Sequence, residues 1–390
     1  MKNIYSIALL VILAGCSSKL SRKSVVRNAA TQTDLMITEL EQAKLAGNNL
    51  VSPRTLENGK LKLVASKDWT SGFFPGELWY LYELSQDDKW KELARKYTVP
   101  VEQEKLNGVT HDMGFKIYCS VGNGYRLTGD AHYKEVLIEA AKTLSTRFNP
   151  KVGLIRSWDH HSGQWAYPVI IDNMLNLELL FEASRLTADS SFYKIAVSHA
   201  DKTIKNHFRA DFSTFHVVSY NPESGEVEKR QTHQGYSDAS AWARGQAWAL
   251  YGYTMCYRET KNPAYLRQAE AVAGFIFSNK HLPKDLVPYW DFDAPGIPDE
   301  PRDVSAAAVI ASALYELSAY ALPGNQYQAK ADTIMGNLAR NYTSAKGENK
   351  GFILGHSTGS KPMDSEVDVP LVYADYYYLE ALVRKKNLQK

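Results

Sequence analysis

Gln231-Thr232-His233-Gln234-Gly235-Tyr236-Ser237-Asp238-Ala239-Ser240-Ala241-Trp242-Ala243-Arg244-Gly245-Gln246-Ala247-Trp248 is a polar, aromatic run that flows directly into an apolar helix. A plain helix start needs one or two capping residues. This one carries a His, several Gln, an Asp, an Arg and two Trp within about five helical turns. Arg244 and Trp248 are four apart and share a helix face. A guanidinium beside a flat aromatic surface suits an acidic sugar. A capped helix with core Trp residues and a structurally paired Arg is the plain alternative, and this segment alone does not choose between them.

Outward from this stretch the same grammar recurs. A polar or aromatic loop enters an apolar helix, a short turn with Asp or Asn follows, and a more polar helix comes next. The other helix starts are Asp68-Trp69-Thr70-Ser71-Gly72-Phe73-Phe74-Pro75-Gly76, Thr110-His111-Asp112-Met113-Gly114-Phe115, Ile171-Asp172-Asn173-Met174-Leu175-Asn176, Pro288 through Ser305, and Glu366-Val367-Asp368-Val369-Pro370. The turns are Ser85-Gln86-Asp87-Asp88, Thr128-Gly129-Asp130, Thr187-Ala188-Asp189 and Thr260-Lys261-Asn262. Tyr133, Tyr193, Tyr265 and Tyr327 follow the turns at a period of roughly 60 to 70 residues, one helical hairpin plus a loop per unit. The count is six inner and six outer helices, the first outer helix being 25–45. On a closed ring, alternation puts all six inner N-termini at one end. The spacing therefore predicts an all-α fold, an (α/α)6 barrel, as one domain over 25–390. Converging helix N-termini favour an anionic ligand.

The chain has 390 residues and a net charge of +2, which gives no sign of a nucleic-acid partner. Its 24 Tyr and 8 Trp suit both sugar stacking and a large core. Lys2, the apolar run Ile4–Leu13 and Leu13-Ala14-Gly15-Cys16 read as a secretory leader. The last four residues resemble a bacterial lipobox, with Cys16 the lipidated residue. The expectation is a lipoprotein signal over 1–16, a polar tether over 17–24, and a membrane contact through the lipid anchor alone. Ser17-Ser18-Lys19 after Cys16 is not an acidic run, which favours a periplasm-facing position in the cell envelope. Only Cys119 and Cys256 remain, so no disulfide framework or metal cluster is implied.

Two carboxylates stand out. Asp112 and Asp172 each sit at the start of an inner helix, one unit apart. The commoner use of such an Asp is capping. Asp112, however, follows a His, and Asp172 lies in an apolar setting that raises a carboxyl pKa and suits acid work. Two carboxylates in a sugar-binding mouth ordinarily suggest glycoside hydrolysis. His216, in the apolar, strand-like Phe215-His216-Val217-Val218, reads as a core residue. His233 and Gln234 lie in the polar loop and are better candidates. Trp69, Trp158, Trp165, Trp242 and Trp248 are candidates for an aromatic wall, at least two of them core. Trp158-Asp159-His160-His161 lacks zinc-ligand spacing, and no phosphate-cradling loop is present.

His111-Asp112-Met113-Gly114-Phe115, Ile171-Asp172-Asn173-Met174, His233-Gln234-Gly235-Tyr236, Trp242-Ala243-Arg244-Gly245-Gln246-Ala247-Trp248 and Asp368-Val369-Pro370-Leu371 resemble the unsaturated glucuronyl hydrolases of glycoside hydrolase family 88. The resemblance spans the chain after the tether. It implies an (α/α)6 barrel and an enzyme acting on lyase-generated oligosaccharides that carry a 4,5-unsaturated uronic acid at the non-reducing end. It implies hydration of the vinyl ether, water adding at C5 and a proton at C4, with no metal or organic cofactor. By this resemblance Asp172 is the general acid/base and Asp112 the second essential carboxylate. His216 becomes a site residue, which reverses the reading of its surroundings. Gln234 and Arg244 contact the uronate, Trp248 packs on the sugar, Trp69 stacks, and His233 lies nearby. Ser357, Ser360 and Lys361 resemble a sulfate-contacting motif of members acting on sulfated glycosaminoglycan disaccharides, with the Lys displaced by one place. The alternatives are an unsaturated rhamnogalacturonyl hydrolase on pectin fragments, a polysaccharide lyase on a helical toroid, and a non-catalytic, lipid-anchored glycan-binding protein.

Overall fold

The computed structural model describes residues 21–44 and 49–389. Cys16, the leader and the first half of the tether lie outside them. Helix α1 spans Arg22–Lys44, three residues earlier than the apolar periodicity indicates. The Ser21 hydroxyl accepts the Ser24 N–H at 3.2 Å, so 22–24 belong to a capped helix and not to the tether.

The described residues form the expected ring. Inner α2 (Phe73–Ser85) is followed by outer α3 (Asp88–Thr98). A π-helical run, Gly114–Gly122, continues into inner α4 (Asn123–Thr128), with outer α5 (Ala131–Ser145) behind. Then come inner α6 (Asn173–Thr187) and outer α7 (Ser190–His207), inner α8 (Ala243–Thr260) and outer α9 (Pro263–Ser278), and inner α10 (Val304–Leu317) and outer α11 (Asn325–Asn337). Inner α12 (Val372–Leu388) packs on both α10 and α2 and closes the ring. Its axis is filled, not open: Phe73, Trp248 and Tyr377 meet there, with Tyr377 6.0 Å from Phe73 and 5.5 Å from Trp248. Close packing of α2 on the π-helical run needs glycine. A Cβ on Gly72 would lie 2.1 Å from the Lys116 carbonyl oxygen.

One device makes the sharp turn at the far end of four hairpins. The inner helix ends on a left-handed residue, Gln86, Gly129, Ala188 or Lys261. The next residue, Asp87, Asp130, Asp189 or Asn262, caps the outer helix by accepting the N–H two residues on. A Ser or Thr two before the cap completes it: Thr128, Thr187 and Thr260 each accept the cap residue's own N–H at 3.1–3.3 Å. These are the turns read from the sequence, and the caps satisfy N–H groups that a helix start leaves orphaned.

The mouth is not purely helical. Strands β1 (Leu50–Glu57) and β2 (Lys60–Ala65) form a hairpin, and β3 (Phe148–Asn149) pairs with β4 (Leu154–Ile155). Strands β5 (Pro168–Ile170), β6 (Val217–Tyr220) and β7 (Val227–Gln231) form an antiparallel sheet in that order. Of these, only the stretch around His216 reads as strand-like in the sequence. Cys119 and Cys256 are buried, free thiols.

Asn262→Ala removes a cap whose side chain accepts the Ala264 N–H at 3.0 Å. We expect a loss of about 1 kcal/mol, while Ala188→Gly, which relieves a φ of +58°, gains about 1 kcal/mol. Urea midpoints measured at constant slope check both.

Candidate active site

The three-stranded sheet assembles the site. β5 runs straight into Ile171-Asp172 and α6, His216 immediately precedes β6, and His233 and Gln234 follow β7. The Ile171 N–H donates to the His216 carbonyl at 3.1 Å, which sets Asp172 beside the imidazole. Asp172 occupies the cap position of α6, but its side chain makes no capping bond. Asp303 at the start of α10 behaves conventionally, accepting the N–H groups of Ser305 and Ala306.

Asp172 lines a cavity of about 200 Å³ with Asp112, Trp69, Gln234, Arg244 and Ser360. Burial pushes its carboxyl up to about 7; Arg244 opposes the rise, Asp112 adds to it, and the facing Trp248 indole N–H opposes it without closing a well-formed hydrogen bond. His216 Nε2 lies 3.8 Å from Asp172 Oδ2. Its Nδ1 accepts the backbone N–H groups of His233 at 3.1 Å and Gln234 at 3.2 Å. Burial holds the ring neutral. The one ring proton is therefore on Nε2, toward Asp172. Asp112 accepts from the Thr110 hydroxyl at 2.5 Å and faces His111 Nε2 at 3.2 Å. Burial holds His111 neutral too.

Several buried polar atoms here have no hydrogen-bond partner: Asp172 Oδ2, Ser360 Oγ, the Tyr373 hydroxyl and His216 Nε2. Orphaned polar atoms gathered at one cavity mark a place where a polar ligand completes the bonding. A larger cavity of about 660 Å³ opens at the turn end of the ring, lined by Glu178, Arg258, Glu380 and Arg384 among others. Its charges are paired with one another or with Glu83 and Glu316, so it carries no comparable demand. Among the described residues, no group of three or more His, Cys, Asp or Glu is arranged to hold a metal ion.

Residues 44–387 match glycosyl hydrolase family 88. The chain belongs to that family. It is 51% identical over 346 residues to the unsaturated glucuronyl hydrolase of Formosa agariphila, covering 88% of this chain and 86% of that one. It is 35% identical over 341 residues to the unsaturated chondroitin disaccharide hydrolase of Streptococcus pneumoniae, with 85% of each covered. A solved unsaturated glucuronyl hydrolase specific for heparin superposes with a TM-score of 0.89 at 45% identity, covering 95% of this chain and 98% of that one. The protein is thus a glycosidase.

In this family 88 enzyme Asp112, Asp172, Trp69, His233, Gln234, Arg244 and Ser360 line one cavity, with His216 directly behind Asp172. Four expectations change. Trp248 is fully buried between Phe115 and Tyr377 and lies outside the cavity wall; its indole N–H faces Asp172. Ser357 is also fully buried, its backbone paired with Val369, because that pairing turns its side chain inward. Lys361 opens a short 3-10 turn and is not part of the cavity wall. Arg244 joins both readings: it lines the cavity, yet it donates to Asp303 at 2.7 Å, to the Thr358 carbonyl at 2.6 Å and to the Gly359 carbonyl at 2.5 Å. Trp158 joins the wall, whereas Trp165 and Trp242 are buried. Arg54, Glu366 and Tyr373 also line the cavity and were not singled out from the sequence. Arg54 sits on a strand that carries no motif; Tyr373 reads only as one more apolar position of α12.

Asp172 has a folded-state pKa above its unfolded value. Between about pH 4 and 7 the folded chain holds a proton the unfolded chain has released, so this group's contribution to stability falls as pH rises through that window. Asp172→Asn should therefore melt higher than wild type above pH 7, by on the order of 4 kcal/mol at most, and equal it near pH 4. Melting curves across this range read the effect.

Proposed function

We propose that this cavity holds the terminal 4,5-unsaturated glucuronate of a glycosaminoglycan-derived oligosaccharide and hydrates its C4=C5 bond. The observation that carries this reading is a buried, non-capping carboxyl, Asp172, with a pKa near 7 and an unpartnered oxygen in a cavity blocked from below. A volume of about 200 Å³ suits one sugar ring, and the aromatic plug beneath it leaves the rest of a chain outside. That supports removal of a terminal unit. Protonated Asp172 delivers its proton to C4. Its carboxylate then takes a proton from the water that adds at C5, which restores the acid. The product hemiketal opens and releases the remaining sugar. Neutral His216, donating from Nε2, orients the carboxylate or the water. Asp112 holds sugar hydroxyls.

The comparison proteins named for chondroitin disaccharide and for heparin support glycosaminoglycan fragments as the substrate class. Sulfated units fit this reading through Ser360 alone, since Ser357 and Lys361 are not at the cavity. Loss of the unsaturated-uronate absorbance across lyase-product disaccharides tests the assignment. Chondroitin, dermatan or heparin products should be consumed faster than pectin-derived ones, and Asp172→Asn should fall by at least about a thousandfold. An absorbance that rises on intact polysaccharide would indicate a lyase instead. Ser360→Ala should alter the ratio of sulfated to unsulfated turnover.

We further infer, from the leader and Leu13-Ala14-Gly15-Cys16, a lipid-anchored position in a bacterial cell envelope, facing the periplasm. Incorporation of labelled palmitate into wild type, and its absence in Cys16→Ser, is the expected result.

A further inference from the structure

The two guanidinium groups at the cavity are partly committed to acceptors of the protein itself. Arg244 spends both Nη1 protons on Asp303 and the Thr358 carbonyl and one Nη2 proton on the Gly359 carbonyl. Its Nη1 is therefore fully engaged, while Nε–H and one Nη2 proton remain. Arg54 is no freer: its Nε and Nη2 grip Glu366 at 2.5 and 3.0 Å, and its Nη1 reaches Asp68 at 2.8 Å. The Gln234 amide donates to the Gly359 carbonyl at 3.1 Å. An acidic sugar needs several donors, and these groups have given more than half of theirs to the protein.

Tyr373 is the phenol left over. It is the second residue of α12 and is fully buried, and its hydroxyl has no partner. Its ring stands 5.0 Å from Trp69 and 5.5 Å from the Arg244 guanidinium carbon. Arg244, Glu366, Asp303 and Arg54 are the charges that act on the phenol, so it sits between the two ion pairs. A buried polar group without a partner costs about 1–3 kcal/mol. It persists where a ligand supplies the partner.

We propose that the Tyr373 hydroxyl is a direct substrate contact, donating a hydrogen bond to the carboxylate of the bound uronate. Arg244 then contributes charge and its remaining Nε and Nη2 protons, and Tyr373 adds a neutral donor beside them. Burial keeps the phenol protonated, so it acts only as a donor. The inference rests on the reading of the cavity as a uronate site and assigns one contact within it.

Tyr373→Phe keeps the ring, and with it the packing on Trp69, and removes only the hydroxyl. On an unsaturated uronide disaccharide, kcat/KM should fall about ten- to hundredfold, with the melting temperature unchanged or raised. On the corresponding uronate methyl ester, where the anionic acceptor is gone, the same substitution should cost little. Turnover of the acid within twofold of wild type would overturn the proposal. Equal losses on acid and ester would also overturn it, because the hydroxyl would then serve something other than the carboxylate. If wild type consumes neither acid nor ester, the uronate reading itself fails, and this contact fails with it.

Discussion

The buried pair of Arg244 and Asp303 is the contact on which the mouth depends. The two side chains are 1% and 0% exposed and 2.7 Å apart. An unpaired charge at that depth would be strongly unfavourable, and the ion pair with its added bonds to carbonyl groups offsets that cost. Arg244 stands on α8, and Asp303 caps α10. The same guanidinium binds the carbonyls of Thr358 and Gly359, which lie in the loop before α12. One side chain thus ties two adjacent inner helices to the segment carrying Ser360. Gly359 also accepts from Gln234 in the loop after β7. The loops at the mouth are long and irregular, and this hub is what gives them a common geometry.

Capping separates scaffold from chemistry. Asp87, Asp130, Asp189, Asn262 and Asp303 all spend a side-chain oxygen on helix N–H groups. At Asp189 such bonds hold the carboxyl below its usual range. Asp172 has the same position relative to its helix and none of those bonds. Its burial outweighs the opposing charge of Arg244, so it keeps a proton near neutrality. Burial raises the Asp172 carboxyl, and no capping bond is set against that rise.

The helical ring was legible because its signals are local. Each Thr-x-Asp or Thr-x-Asn turn can be read within three residues, and six special stretches at a steady period leave little choice but a closed ring. The sheet was not legible for the opposite reason. Val217 to Tyr220 are buried on both faces, so they show no alternation, and β7 is polar after its first residue, Val227. Without the sheet, His216 has no visible reason to meet Asp172. Trp248 failed on depth: helical spacing places it on the face of Arg244, but spacing does not say which of two residues on one face reaches solvent. Ser357 failed on strand pairing, which points it inward. Arg54 and Tyr373 lie in segments whose sequence shows only a strand and an apolar helix, and their position depends on contacts across the ring.

The hub also explains how a carboxyl beside an arginine can remain an acid. A bare guanidinium next to Asp172 would stabilise the carboxylate and draw its pKa down. Arg244 does act in that direction, but its charge is already answered by Asp303 and by two carbonyl dipoles. Desolvation then outweighs it. His216 adds no positive charge, because two backbone N–H groups occupy Nδ1 and burial keeps the ring neutral. Trp248, being buried, supplies apolar surface and excludes water from beneath. The site therefore presents an acidic sugar with a set of donors whose net charge is small. Hydrating a vinyl ether needs a proton donor more than it needs an electrostatic clamp, and this arrangement favours the proton.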